Sequence, residues 1–188
     1  MGRWKPDAPG RLQRAAFELF AERGYEATTV AEIAERAGLT ERTFFRHFAD
    51  KREVLFGGSD ELLRLIADAA AAAPDGAAPI EAVAAGLEAA GTVFDASRRP
   101  HSRRRQAIID ANPELREREL VKLAGLAAVL GDSLRGRGAD ETTASIASHA
   151  GVALFRFAFE RWLADDTERD FAHFVREGVT ALGALSAG

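Results

Sequence analysis

Apolar positions along this 188-residue chain recur every three or four residues in one segment after another. Gly and Pro separate the segments, and no useful length alternates as a strand would. Leu12, Ala15, Ala16, Leu19 and Phe20 predict a first helix, ended by Gly24. Thr29 and Glu32 form a capping box that opens a second helix with Val30, Ile33, Ala34 and Ala37 on one face. Gly38 supplies the left-handed residue that ends it. Thr40 then caps a third helix, in which Phe44 and Phe48 lie one turn apart as core residues. The turn from Ala37 to Thr40 suits only two short helices crossing steeply, a helix-turn-helix. Asp50 and Glu53 open a fourth helix, bent at Gly57-Gly58 and continued by Leu62, Leu63, Ile66 and Ala70. After a Pro- and Gly-rich loop at 74–79, further helices are predicted over 80–94, 100–111, 113–135, 140–164 and 167–185. The expected fold is all-α: a three-helix helix-turn-helix domain over 1–56, then roughly six helices over 57–188.

Composition narrows the function. The chain has no Cys, so a disulfide framework, a Cys-ligated zinc site and a thiol nucleophile are excluded. Its four His, at 47, 101, 149 and 173, form no metal-ligand or catalytic spacing, and no nucleophile elbow or phosphate loop is present. No enzyme site and no cofactor are expected. Neither a secretory h-region nor an apolar run of membrane-spanning length is visible, and a cytoplasmic protein is expected. The net charge of −4 is unevenly distributed. Residues 1–57 hold 10 Lys and Arg against 9 Asp and Glu, and the rest hold 15 against 20. Arg3, Lys5, Arg11 and Arg14 crowd the N-terminal end, as in a basic arm that reaches DNA.

The third helix carries the candidate chemistry. The N-terminal residues of a recognition helix meet base edges. Arg42 is the best base reader, because a guanidinium grips guanine at two points, and Thr43 can bond a base or touch a thymine methyl. Thr40, Arg46 and His47 suit phosphate contacts.

These residues resemble the TetR family of bacterial transcriptional regulators. The resemblance rests on Ala15-Ala16-Phe17-Glu18-Leu19-Phe20 with Gly24, on Thr28 to Gly38, and on Phe45-Arg46-His47-Phe48 with Lys51. It implies further phosphate contacts from Thr28, Thr29 and Lys51. Arg42 and Phe45 depart from the commonest pattern, in which Gly and a phosphate-bonding Tyr stand there. Arg-Thr-Phe-Phe-Arg at 42–46 fits a subgroup, without the phosphate contact at 45. The family also implies a homodimer on an inverted-repeat operator in double-stranded DNA, most often as a repressor.

In the C-terminal half, the apolar faces of two helices carry Gly151, Phe155, Phe159 and Trp162, and Phe171, Phe174, Gly178 and Leu182. They are the expected dimer interface, since paired recognition helices must match half-sites about 34–36 Å apart. Arg156 sits among apolar neighbours and shares a face with His149; either Glu160 pairs it or it helps bind an anion. Arg103 to Arg105 precede Ile108-Ile109. Residues 103–120 resemble mycofactocin-type regulators of this family, which implies an acyl-CoA or another amphipathic anion as small-molecule effector. Arg103, Ile108, His149 and Arg156 are its candidate ligand residues. The competing readings are a constitutive DNA-binding protein without a ligand, and an all-α enzyme or carrier with a vestigial DNA domain.

Overall fold

The computed structural model describes residues 7–186, and every regular element among them is helical. Arg3 and Lys5 of the basic N-terminal end lie outside the described residues. The chain divides into two compact units: one up to Gly58 together with Arg104–Arg118, the other Ser59–Arg103 together with the chain from Glu119 onward.

The first unit contains α1 (Ala8–Arg23), α2 (Val30–Arg36), α3 (Glu41–His47) and a 3₁₀ turn, Arg52–Phe56. Leu12, Ala16, Leu19, Ile33, Phe44 and Val54 make its core, all essentially inaccessible to water. The chain also contributes Ile109 and Leu115 to this core, from α6 (Arg99–Ala111) and α7 (Pro113–Gly136). Two polar contacts secure the segment: Arg105 Nε donates to the Leu55 carbonyl at 2.7 Å, and Arg118 pairs with Glu53. A division at 56/57 therefore leaves out residues 104–118. Apolar periodicity marks Ile109 as core without saying of which core.

The expected continuous fourth helix is two elements, the 3₁₀ turn and α4 (Ser59–Ala71). The physical reason is Gly57-Gly58, with Gly58 at φ 86°, a conformation that an α-helix cannot contain.

The second unit holds α4, α5 (Pro79–Ala89), α8 (Glu141–Ala164), α9 (Phe171–Ser186), and the parts of α6 and α7 outside 104–118. α5 touches α4, α8 and α9. Close approach needs glycine here. A Cβ on Gly86 would lie 2.7 Å from the Ile66 carbonyl oxygen, and one on Gly151 2.7 Å from Val83 and 2.8 Å from Leu130. An aromatic cluster surrounds Phe94: its ring centre lies 5.0 Å from Phe171, 5.3 Å from Phe159, 5.6 Å from Trp162 and 6.0 Å from Phe155.

This packing takes Trp162, Phe171, Phe174, Gly151 and Gly178 out of the expected dimer face. Trp162, Phe171 and Phe174 are fully buried inside their own unit. Gly151 faces α5 and α7, and Gly178 faces Leu154 and Phe157 of α8. Phe155, Phe159 and Leu182 pack half-buried against the same core. The residues looked as though they needed a partner because one protomer's own helices surround them. The large apolar side chains exposed on α8 and α9 are instead Ile146, 67% accessible, and Leu185, 81%.

Arginines tie down carbonyls at the ends of helices and in the connections just beyond them. Arg99 donates to the carbonyls of Asp165 (2.9 Å), Thr167 and Arg169, and Arg103 to those of Leu163 and Asp165. Arg137 serves Ala71, Ala73 and Pro74 at the end of α4. Asp165, with its side chain 2% accessible, anchors the first of these assemblies. The Thr167 hydroxyl bonded to its carboxylate, and then the Arg169 guanidinium, hold its pKa below the usual carboxylate range.

Candidate nucleic-acid interface

Local sequence chemistry builds the interface. At the start of α2, the Glu32 N–H donates to Thr29 Oγ1 at 3.3 Å, and the Thr29 N–H donates to Glu32 Oε2 at 2.8 Å. The two exchanged bonds complete the capping box. After α2 the chain reverses through Gly38 at φ 63°, and the Leu39 N–H returns to the Ala34 carbonyl at 2.8 Å. Arg11 donates to the carbonyls of Ala37 and Gly38 and so holds the turn from the α1 side. Thr40 then caps α3, its hydroxyl oxygen accepting from the Thr43 N–H at 3.2 Å.

The period of α3 decides what faces water. Phe44 and, just beyond it, Phe48 are buried. Arg42, Phe45, Arg46 and His47 are exposed, and Thr43 is half-buried with its hydroxyl 3.1 Å from that of Thr40. Commitment of charge separates α3 from its surroundings. Among described residues 7–58, every Lys and Arg outside α3 already has a partner. Arg11 has its carbonyls, Arg14 pairs with Asp7, Arg23 with Glu32, Arg36 with Glu22 and Glu18, and Arg52 with Asp50. Lys51 donates to the Tyr25 and Thr28 carbonyls at 2.9 and 3.1 Å, with Nζ 4.0 Å from the Tyr25 ring centre. Arg42 and Arg46, one turn apart, pair with nothing among these residues.

Two residues that the family resemblance assigns to phosphate sit differently. Thr28 is 1% accessible, and its hydroxyl donates to the Gly24 carbonyl at 2.8 Å. It therefore closes the end of α1 rather than facing solvent. Lys51 has two of its three donors occupied and bridges the α1–α2 connection. Thr29 is exposed.

The expected ligand residues have separate surroundings, and among those of the second unit Arg103 and Arg156 do not line the groove that His149 lines. Ile108 packs against the core of the first unit. Arg103 is taken up by the end of α8 and by the Asp166 carboxylate at 2.8 Å. Arg156, whose side chain is 58% accessible, lies 3.9 Å from Glu160. It is a surface cation rather than one held in an apolar pocket, because its position on α8 turns outward. His149 is exposed, with Nδ1 2.7 Å from the Ser145 carbonyl oxygen. It lines an open groove of about 270 Å³, floored by small side chains of α7 and rimmed by Arg135 and Glu141. Sequence reasoning missed Arg99 and Asp165 as a buried pair. The Asp-x-Thr-x-Arg spacing at 165–169 marks Asp165 as an acceptor for Thr167 and Arg169, but carries no sign of Arg99.

Two capped short helices around a glycine turn, with uncommitted arginines on the second, define a helix-turn-helix DNA-binding protein. Residues 12–57 match the bacterial regulatory proteins of the tetR family, and residues 77–186 match the MftR C-terminal domain. The chain belongs to the TetR family of transcriptional regulators, with a C-terminal domain of the MftR type. It is 30% identical to the mycofactocin biosynthesis transcriptional regulator MftR of Mycobacterium tuberculosis over 172 residues, covering 89% of this chain and 85% of that one. The fold is shared with a transcriptional regulator of Pseudomonas aeruginosa (TM-score 0.66, 18% identity, 99% of this chain and 94% of that one). It is shared also with FadR of Bacillus subtilis, solved in complex with stearoyl-CoA (TM-score 0.56, 19% identity, 92% and 96%). Proteins of this family are regulators rather than enzymes, typically ligand-responsive repressors that bind DNA as dimers.

Proposed function

We propose that this protein represses transcription from an inverted-repeat operator and leaves it when a small amphipathic effector binds the second unit. The observation that carries the DNA reading is the uncommitted pair Arg42 and Arg46 on the exposed face of α3, whereas every other Lys and Arg among described residues 7–58 has a partner. Arg42 reads a base, with Thr43 beside it, while Thr29, Thr40, Arg46 and His47 approach phosphates. Lys51 keeps one donor for a phosphate, and Thr28 acts only by shaping the turn. The protein works in the cytoplasm, where its operator is; no helix among the described residues is long and apolar enough to cross a membrane.

The effector reading rests on the fold shared with FadR and its stearoyl-CoA, and takes nothing from Arg103, which is bonded to the end of α8, or from Arg156, which faces solvent. Effector binding favours a dimer geometry that no longer matches the operator, a shift of population between two forms. One gel-shift series tests the whole reading. Arg42→Ala should weaken the specific complex by about 1–3 kcal/mol and relax its sequence preference. Stearoyl-CoA should release the parent protein. A parent that prefers no sequence, or an Arg42→Ala variant that binds like the parent, removes the DNA reading. Indifference to stearoyl-CoA and shorter acyl-CoAs removes the effector reading.

The dimer seam is drawn through the outer faces of α8 and α9. The two helices pack on each other across the short 165–170 connection, so the start of α8 lies along the end of α9. Ile146 and Leu185, the large apolar side chains that the two helices expose, are the residues proposed to meet the partner there. Ile146→Glu with Leu185→Glu should sediment as a 20.2 kDa monomer and lose operator binding while keeping the parent's helical content. A double variant that stays dimeric puts the seam elsewhere.

A further inference from the structure

Phe45 is 54% accessible, and among the described residues it is the one large apolar side chain that the first unit leaves in solvent. The core does not need it, since Phe44 and Phe48 already fill the space beneath α3. Its ring meets Phe44 edge-on, with centres 5.5 Å apart and planes at 79°. That contact steadies the base of the ring and leaves its outer edge bare. Three and four residues after Arg42 come Phe45 and Arg46, so all three share one stripe of the helix.

A phenyl group has no donor or acceptor. It can bond neither a phosphate oxygen nor the polar edge of a base. In the major groove the apolar group available to it is the thymine C5-methyl. We propose that Phe45 is a specificity-determining residue that reads a thymine methyl beside the base gripped by Arg42. Three residues of helix advance about 4.5 Å, so the thymine lies about one to two base pairs from that base. The proposal rests on the DNA-binding reading above and adds a preference that the arginines cannot supply.

The test uses the full-length protein and its operator, selected from random duplexes. Each thymine is replaced in turn, in both half-sites, by deoxyuridine, which removes the methyl and nothing else. At one symmetric pair of positions the parent should bind about fourfold more weakly per half-site, or about 15-fold for both, the value for one methyl-sized burial. Phe45→Ala should lose a similar factor on the thymine duplex and no longer distinguish uracil from thymine. Phe45→Leu, still apolar, should keep part of the discrimination. Both variants should melt like the parent, because the side chain is exposed. If the parent binds its operator and ignores every methyl removal, or if Phe45→Ala discriminates as the parent does, the proposal falls while the DNA-binding reading stands. If the parent prefers no duplex at all, both fall.

Discussion

Trp162→Ala should destabilise the second unit by about 3–5 kcal/mol, the cost of emptying a large aromatic site in a packed core. Trp162 is wholly buried, and its ring centre lies 5.6 Å from Phe94 and 5.9 Å from Phe159. The Arg99 guanidinium, 5.4 Å from the same ring, would lose its apolar support as well. Thermal melting followed by circular dichroism reads the loss. Phe159→Ala, at the half-buried rim of the cluster, should cost distinctly less. Equal losses would mean that Trp162 is not the centre of the packing.

Ile109→Ala should destabilise the first unit by about 2–5 kcal/mol, although the residue is more than fifty positions from the end of the helix-turn-helix. Its side chain is fully buried in the same core as Leu12, Ile33 and Phe44. Amide hydrogen exchange is the informative measurement, because it reports on α1 directly. Amides around Leu19 and Phe20 should exchange faster in the variant. Unchanged protection there would separate residues 104–118 from the DNA-binding core.

Both predictions depend on contacts between residues distant in sequence, and there the reading of the chain was weakest. Capping boxes, N-caps and glycine turns were legible because each is a bond between neighbours. Thr29 with Glu32, Thr40 with Thr43, and Gly38 at positive φ follow from residue type and spacing alone. The outward face of α3 was legible for the same reason: Phe44 and Phe48 set the inner face, and the helical period places Arg42 and Arg46 on the other. Thr28 was not legible. Its burial depends on the Gly24 carbonyl and on where the α1–α2 connection folds back. The roles of Arg99 and Arg103 were not legible either, since nothing local shows that they serve carbonyls at and just beyond the end of α8, about sixty residues later or more.

What the sequence by itself determined is the all-α class, the positions of most helices, the helix-turn-helix and the family. These rest on periodicity, caps and a local motif, all of them short-range. Tertiary structure alone decided which apolar face meets which. It turned Trp162, Phe171, Phe174, Gly151 and Gly178 into the protomer's own core, put Ile109 into the DNA-binding unit, and left Arg156 in solvent. The physical reason is that hydrophobic burial has no direction. A helical stripe states that it must be covered, and only the arrangement of the other helices states by what.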